Sequence, residues 1–590
     1  MNTFDERIQQ LQSWMRRDGL KAYLIPATDP HLSEEACSRY TYPRFYFCSF
    51  KGNDGTLLVT LDGYYLYTDG RYWTEAEMEL KDTNCQLVKA GKAGVKSIQE
   101  FVKENNLYPL GLDASLFSLS DIKSFYIDEK HQIISLSYTE RIPNVPSLPK
   151  DKIWKLDPTL LSTTRKERVA TLLENVRKNN GQEIILTNLD DISYILGYRG
   201  NDIECTPVFY SYLYVESDGL LHLFIDKKKL PSNFFEPDIV IQPYDEIYDY
   251  LSTREKKVVV DFRTANARII KHVKHPVNVP SIALRMKSVK GKVEIENTKK
   301  VHELDGICVL RLMKYIEEHK DDPDMDEYKA SQYIDNVRLA NRKCFEPSFT
   351  TIAALDSNAS MMHYAPTKDV HSPFKKDSEL LLVDSGGQYF GGTTDITRTF
   401  LLQKKPNPEI VRHYTLTLKS QIALSTTIFE KGCSGHSIDI TAREVMWKEG
   451  LDYKCGTGHG VSYIGPVHEG PIGFRYYNRP GVIDDGILEP GHIITIEPGV
   501  YLDGKYGIRL ENELLVKEAF ENEQGIFYKF ETITYCPYDR KGINVDMLTD
   551  SELKWLNDYL KMVEEKLSPY LQEDKPLLKY LKKQCEPFKR

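Results

Sequence analysis

Four acidic residues in the second half of this chain lie where buried β-strands are predicted. Each ends or interrupts an apolar run, such as 379–383 or 492–496. The four residues are Asp384, Asp395, Glu497 and Glu511. A carboxylate buried without a partner costs several kcal/mol, so each of them requires a cation or a proton.

A histidine flanked by glycines, His459, adds a nitrogen ligand to this set. An arginine such as Arg398 or Arg509 could pair with any one of the carboxylates. Four carboxylates with one neutral imidazole indicate shared metal ions instead, because together they offset the charge of two divalent cations. Oxygen-rich ligation favours Mn²⁺, Mg²⁺, Co²⁺ or Zn²⁺. Two ions roughly 3.5–4 Å apart would hold a bridging water or hydroxide and polarise the carbonyl that it attacks.

The elements that must hold these residues form the last part of the chain. Helical periodicity covers 295–316, and strands rich in glycine, histidine and acidic residues come after it. The sequence 549–552 has the form of a capping box, and it precedes a helix whose apolar face is Leu553, Leu556, Leu560 and Val563. These patterns predict a domain over residues 291–590 that carries the chemistry.

The first half of the chain contains the same pattern twice. A helix, a strand, a Gly-Asn-Asp turn and further strands are predicted in that order, with the turns at 52–54 and 200–202. The shared order predicts two related α/β domains, at 1–155 and 156–290. The predicted fold class is therefore α/β (α+β).

The motifs around the five candidate ligands resemble those of the pita-bread, or creatinase-like, metallopeptidases, and are close to the long aminopeptidase P form. The motifs are Val383-Asp384-Ser385-Gly386, Thr393-Thr394-Asp395, Gly456-Thr457-Gly458-His459-Gly460, Glu497-Pro498-Gly499 and Arg509-Leu510-Glu511-Asn512. The resemblance implies two creatinase-like N-terminal domains and a C-terminal pita-bread catalytic domain with an extension. It also implies two metal ions, with Mn²⁺ as the usual activator and Zn²⁺ or Co²⁺ as alternatives.

The same resemblance implies roles for further residues. His363 and His468 match catalytic, substrate-binding histidines of the family, and Arg71 matches a position associated with substrate. Arg509 is a further candidate for substrate binding. The alternative is that Arg71 is a strand-end arginine that caps a local carboxylate. Many members have a second histidine where this chain has Cys455, four residues before His459.

The implied activity is removal of the first residue from peptides whose second residue is proline, by a homodimer. The stretch 470–477 is expected to help form an apolar wall for the proline ring. Prolidase uses the same ligands on dipeptides and stays open as an alternative, although its usual chain has only two domains. Methionine aminopeptidase usually lacks both front domains, and creatinase lacks the ligands. A non-catalytic binding module is the alternative outside the enzymes.

Composition restricts the other classes of function. The 590 residues carry a net charge of −9, and their basic clusters are short, so no nucleic-acid partner is expected. No apolar run approaches the roughly 20 residues of a membrane span, and no export signal is recognised at the first residues. The ten cysteines form no CxxC pair. We therefore expect a cytoplasmic protein with reduced thiols and no membrane partner.

Overall fold

The computed structural model describes residues 3–126, 128–129, 131–476 and 486–590. The chain forms two compact units. Unit 1 consists of Met1–Leu156 and Thr163–Ala283, and unit 2 consists of Asp157–Ser162 and Leu284–Arg590.

Unit 1 alternates short helices and strands. Its helices are α1 (Thr3–Arg17), α2 (Ser38–Phe47), α3 (Trp73–Glu79), α4 (Ile98–Glu104), α5 (Leu119–Phe125), α6 (Arg165–Lys178), α7 (Leu189–Leu196), α8 (Ile247–Ser252) and α9 (Ala267–His272). Its strands are β1 (Ala22–Ile25), β2 (Thr56–Thr60), β3 (Tyr64–Thr68), β4 (Gln86–Lys89), β5 (Leu110–Leu112), β6 (Ile133–Ser135), β7 (Trp154–Lys155), β8 (Glu183–Leu186), β9 (Tyr198–Arg199), β10 (Tyr212–Val215), β11 (Leu221–Phe224), β12 (Ile239–Gln242), β13 (Val258–Val260) and β14 (Pro276–Asn278).

Two sheets of unit 1 have the same topology. The described strands follow the order β4-β3-β2-β1-β5-β6 in one sheet and β12-β11-β10-β8-β13-β14 in the other. In both sheets the first strand pairs antiparallel with the second and parallel with the fifth. A helix, α1 or α6, precedes each sheet, and a Gly-Asn-Asp segment lies before its second strand. The predicted duplication of an α/β domain is confirmed.

Unit 2 contains longer helices and an extended antiparallel sheet. The helix α10 (Ile282–Ser288) spans the limit between the two units along the chain, and the helices after it are α11 (Lys292–His319), α12 (Glu327–Leu339), α13 (Pro408–Ser425), α14 (Gly435–Ile438), α15 (Ile440–Trp447), α16 (Asp550–Leu567) and α17 (Lys575–Gln584). The strands are β15 (Cys344–Pro347), β16 (Ile352–Leu355), β17 (Leu380–Ser385), β18 (Gly387–Tyr389), β19 (Gly392–Thr393), β20 (Ile396–Leu401), β21 (Phe429–Glu430), β22 (Gly458–Gly460), β23 (Glu469–Phe474), β24 (Ile493–Ile496), β25 (Gly499–Leu502), β26 (Tyr506–Arg509), β27 (Asn512–Asn522) and β28 (Gly525–Thr532).

Both faces of the β16-β17-β20 sheet are covered by helices. Because side chains alternate along a strand, Leu380 and Leu382 pack with residues of α13 and α16, while Leu381 and Val383 pack with residues of α11 and α12. A strand that is buried on both faces also buries the residue at the end of its apolar run. Asp384 is therefore carried into the interior near the end of β17.

The other described strands of unit 2 form three further sheets, of which one is the three-stranded β15-β18-β19. The order in the larger sheet is β21-β28-β27-β24-β22-β23, and β25 pairs with β26. The capping box predicted at Thr549 is present and begins α16, whose residues Leu556, Leu560 and Val563 are buried. No described helix has the length and apolar character needed to cross a membrane. None of the ten cysteines, all of which are described, forms a disulfide bond, as predicted.

Candidate metal centre

Strands of two sheets in unit 2 present the five predicted ligands. Asp384 lies on β17 opposite Thr397 of β20, and Asp395 directly precedes β20. His459 is the central residue of β22, Glu497 directly follows β24, and Glu511 lies between β26 and β27. Each carboxylate is thus fixed by a strand end rather than by a free loop.

Three of the five side chains converge closely. Ligand atoms of Asp395, His459 and Glu511 all lie within 4.8 Å of one another. His459 Nε2 is 3.4 Å from Asp395 Oδ2 and 3.7 Å from Oε1 of Glu497. One imidazole nitrogen that faces carboxylates from separate strands is an arrangement suited to a divalent cation.

A hydrogen bond of Nδ1 determines which ring nitrogen of His459 can bind a metal. Nδ1 lies 3.0 Å from the main-chain oxygen of Gly460. Because a carbonyl oxygen can only accept, Nδ1 carries the proton and the lone pair of Nε2 points toward the acidic residues. Metal-binding histidines are oriented by this kind of contact.

Asp384 is held by an arginine at the edge of the cluster. Nη2 of Arg509 lies 2.6 Å from Asp384 Oδ2, and the same guanidinium donates to Thr397 Oγ1 at 3.0 Å and to the hydroxyl of Tyr501 at 2.8 Å. The arginine–carboxylate pairing considered from the sequence is therefore present for Asp384. Arg398 has different partners and donates to main-chain oxygens, including that of Glu511 at 2.6 Å.

Buried oxygens at the centre fit a bound cation. Oδ1 of Asp384 and Oδ1 of Asp395 are buried and accept no hydrogen bond from the described residues. Burial, followed by the charge of Asp384, raises the pKa of Asp395 well above its usual range. Burial and the neighbouring Asp395 do the same to the pKa of Glu511. Acidic residues crowded in this way require positive charge to remain ionised.

Neighbouring polar groups fix the orientation of the acidic residues. The backbone N–H of Asp395 donates to Glu513 Oε1 at 2.8 Å, and Glu513 Oε2 lies 3.1 Å from Nε2 of the buried His302. The hydroxyl of Thr397 donates to Glu511 Oε2 at 2.8 Å. Such outer contacts hold ligands in place before a metal binds.

The two predicted catalytic histidines have different settings. His468 is exposed, and its ring centroid is 4.3 Å from that of His459, with the two rings nearly perpendicular. His363 is half-buried and comes directly after Met362, whose main-chain oxygen is 3.4 Å from Nη2 of Arg509. Their roles toward a substrate stay predictions.

The predicted proline wall over 470–477 is partly wrong. Ile472 and Phe474 are buried in a hydrophobic core with Ile494 and other residues, so neither side chain can contact a substrate. Tyr476 packs edge-on against Trp447. The last residue of the predicted stretch, Tyr477, lies outside the described residues.

Two more residues singled out in the sequence have clear surroundings. Cys455 is half-buried, and burial followed by the charge of Glu497 raises its pKa to about 12, so the thiol stays neutral. Arg71, in unit 1, lies 2.8 Å from Asp69 Oδ2 and 3.6 Å from Asp54 Oδ2. The local carboxylate partner considered from the sequence is therefore present. Contact between Arg71 and a substrate stays a prediction.

Sequence reasoning missed an ion cluster next to His468. Glu469 is buried, with Lys287 Nζ 3.0 Å from its Oε1 and the ammonium group of Lys290 in contact with Oε2. Both lysines are buried as well. The available signal was a pair of lysines three residues apart directly before the predicted catalytic domain, and this spacing is also typical of an ordinary exposed helix face.

Family models match most of the chain. The model of metallopeptidase family M24 matches residues 296–518, and the model of the C-terminal region of that family matches 526–588. Two models described as the creatinase/prolidase N-terminal domain match residues 7–130 and 144–294.

Two relatives and one solved structure match the chain over nearly its full length. A probable Xaa-Pro aminopeptidase P of Coprinopsis cinerea is 34% identical over 99% of this chain and 98% of its own. Xaa-Pro aminopeptidase 1 of Dictyostelium discoideum is 32% identical over 99% of this chain and 96% of its own. The crystal structure of an X-prolyl aminopeptidase from Caenorhabditis elegans, described as a cytosolic enzyme with a di-nuclear active site, superposes with a TM-score of 0.92 at 28% identity and covers all of both chains.

Proposed function

We propose that this chain, which belongs to metallopeptidase family M24 and within it to the Xaa-Pro aminopeptidases P, removes the N-terminal residue from peptides whose second residue is proline. One observation carries the proposal. Asp395, His459 and Glu511 converge within 4.8 Å in a chain that matches enzymes of that name from end to end.

We infer that two divalent cations bind per chain, through Asp384, Asp395, His459, Glu497 and Glu511. The unsatisfied oxygens of the two aspartates and the orientation of His459 support this set. Mn²⁺ is the proposed metal, with Zn²⁺ or Co²⁺ as alternatives, since carboxylate and imidazole ligands suit all three. When bound, such cations lower the pKa of a water molecule and polarise the scissile carbonyl.

The side chains around the cluster supply the rest of the chemistry. Arg509 holds Asp384, and Asp395 is held through Glu513, so the acidic groups need not rearrange during the reaction. We infer that His468 and His363 donate hydrogen bonds to the developing oxyanion or a proton to the leaving nitrogen. The proton matters because the imino nitrogen of proline leaves as an amine.

Proline at the second position has two physical consequences for the site. Its nitrogen carries no N–H and its φ is fixed, so a site that binds it must not require an N–H donor there. The free amino group of the substrate is attracted to the acidic end of the centre, which limits cleavage to one residue. Arg71 and Arg509 are the proposed further contacts for substrate.

Assembly and domain limits belong to the same proposal. We infer domains at 1–155, 156–290 and 291–590; the first limit falls between the two repeated sheets of unit 1. A cytoplasmic location is proposed, with support from the Caenorhabditis elegans enzyme that is described as cytosolic. A homodimer is proposed as the assembly. Size measurement in solution tests the dimer.

The activity is tested with matched peptides and mass spectrometry of the products. After chelation and addition of Mn²⁺, an Xaa-Pro-Xaa tripeptide should lose its first residue, whereas the Xaa-Pro dipeptide and the Xaa-Ala-Xaa tripeptide should react more slowly. Faster cleavage of the dipeptide would make the chain a prolidase. Equal rates on the alanine and proline tripeptides would overturn proline selectivity.

A further inference from the structure

A buried acidic residue outside the metal centre, Glu327, accepts an unusual number of hydrogen bonds. It is the first residue of α12 and its exposed fraction is 0%. The donors and their distances are the N–H of Leu355 at 2.6 Å, Asn358 Nδ2 at 2.9 Å, the hydroxyl of Tyr364 at 2.8 Å and the N–H of Ser372 at 2.7 Å. Four donors satisfy a carboxylate fully, so Glu327 needs no metal.

The four donors belong to one segment, 355–372, which contains His363. Apart from a short 3₁₀ turn at Asp356–Ser360, the segment has neither helix nor strand beyond its first residue. Its shape depends on a few hydrogen-bonded turns of its own and on contacts made from outside. Glu327 holds its first residue, its last residue and Tyr364, the neighbour of His363. Asn358 Nδ2 also donates to Ser372 Oγ at 2.9 Å, which closes the two ends of the segment against each other.

We propose that Glu327 is a positioning residue that fixes His363 beside the metal centre, a role that rests on the proposed peptidase function. The opposite side of the segment supports this. The main-chain oxygen of Met362 accepts from Nη2 of Arg509, the guanidinium that holds Asp384. His363 thus lies between one anchor on α12 and one at the metal centre.

Only a carboxylate suits the position of Glu327. Leu355 and Asn358 donate to Oε1, while Tyr364 and Ser372 donate to Oε2. The variant Glu327→Gln has the same shape, but its amide nitrogen is a donor that faces the N–H of Ser372. The variant should loosen the segment without removing the apolar contacts of α12.

The test is a double-mutant cycle with His363→Ala, measured with an Xaa-Pro-Xaa tripeptide and Mn²⁺. Alone, Glu327→Gln should lower kcat on the order of 10²-fold, the scale of a misplaced catalytic group, with the metal content unchanged. In the His363→Ala background it should cost less than about twofold, because the group it positions is already absent. If the loss of kcat in the double variant equals the product of the two single losses, the two residues act independently and the proposal is overturned.

A matched control lies on the same helix. Asp335 accepts one hydrogen bond, from the hydroxyl of Thr351 at 2.6 Å, and touches no donor of the segment 355–372. Asp335→Asn removes the same charge from α12 and should leave kcat within about twofold of wild type. A loss equal to that of Glu327→Gln would assign the effect to the helix and contradict the proposal.

Hydrogen exchange separates failure of this proposal from failure of the proposed function. If the wild-type chain cleaves no Xaa-Pro peptide, the function fails, yet the amides of Leu355 and Ser372 should still exchange faster in Glu327→Gln than in Asp335→Asn. Unchanged exchange at both amides would overturn the positioning role. If Glu327→Gln does not fold, Tyr364→Phe takes its place in the double-mutant cycle, since it removes one of the four hydrogen bonds to Glu327. A smaller loss of kcat is expected, and a loss that is independent of His363→Ala would again overturn the proposal.

Discussion

Two groups of buried acidic side chains in unit 2 differ in their partners. In the metal centre, Asp384 and Asp395 each keep a buried oxygen that accepts no hydrogen bond from the described residues. At the second place, the ion cluster of Glu469 with Lys287 and Lys290, a lysine contacts each carboxylate oxygen. The two aspartates of the metal centre therefore lack the donors that the ion cluster supplies to Glu469.

The two places should respond to charge removal in opposite ways. The ion cluster is complete within the protein, and removal of one member leaves a buried charge without its partner. The metal centre has an excess of negative charge until cations bind, since four carboxylates surround one imidazole and one arginine. Removal of one of its acids relieves repulsion in the metal-free protein.

The largest expected effect is on catalysis at the metal centre. Asp395→Asn should lower kcat/KM with Xaa-Pro-Xaa peptides by more than about a hundredfold, since loss of mere outer-shell partners already costs 10- to 100-fold. Steady-state rates at saturating Mn²⁺ measure it. Activity equal to wild type would remove Asp395 from the ligand set.

Substitution of either predicted catalytic histidine should lower activity while the bound metal is retained. His363→Ala and His468→Ala should each lower kcat by roughly 10²- to 10⁴-fold, the range for a general acid or an oxyanion donor. Rates and metal content are measured on the same samples. Metal lost from either variant would mean that the histidine is a ligand and not a substrate group.

Stability gives the sharpest contrast between the two places. In the presence of a chelator, Glu469→Gln should lower the free energy of unfolding by about 3–5 kcal/mol, because two buried lysines lose their counter-charge. Asp395→Asn should not lower it, because the metal-free centre has an excess of negative charge. Chemical unfolding followed by fluorescence compares both variants with wild type.

Added Mn²⁺ should then separate the variants further. Folded Glu469→Gln should still be stabilised by the metal, whereas Asp395→Asn should gain little, since stabilisation depends on binding to the native state. Equal destabilisation of both variants in chelator would show that the two groups of acids do not differ as described.

The smallest expected effect is at Cys455. Cys455→Ser should change activity by less than about tenfold, because the neutral thiol is a poor proton donor and is not needed for charge balance. Peptide cleavage and metal content check this variant together. Loss of metal would show that Cys455 is a ligand.

The strands and the positions of the acidic residues were predictable because the apolar periodicity of a buried strand can be recognised from neighbouring residues. The apolar run before Asp384 and the capping box at Thr549 are of this kind. Contacts between distant residues were not predictable: Lys290 and Glu469 are 179 residues apart, and Glu327 and Ser372 are 45 apart. Phe474 was wrongly predicted to face the substrate because the sequence does not show which side of the sheet an aromatic residue on a strand faces.

Metal content per chain is the most direct test of the central claim, that the unsatisfied acids form a two-metal centre. Wild-type protein is stripped with a chelator, reconstituted with Mn²⁺, freed of excess metal and analysed by mass spectrometry of the metal. Two ions per chain are predicted for wild type, and one or fewer for Asp395→Asn. No bound metal in the wild-type chain, or full occupancy in the variant, would contradict the account.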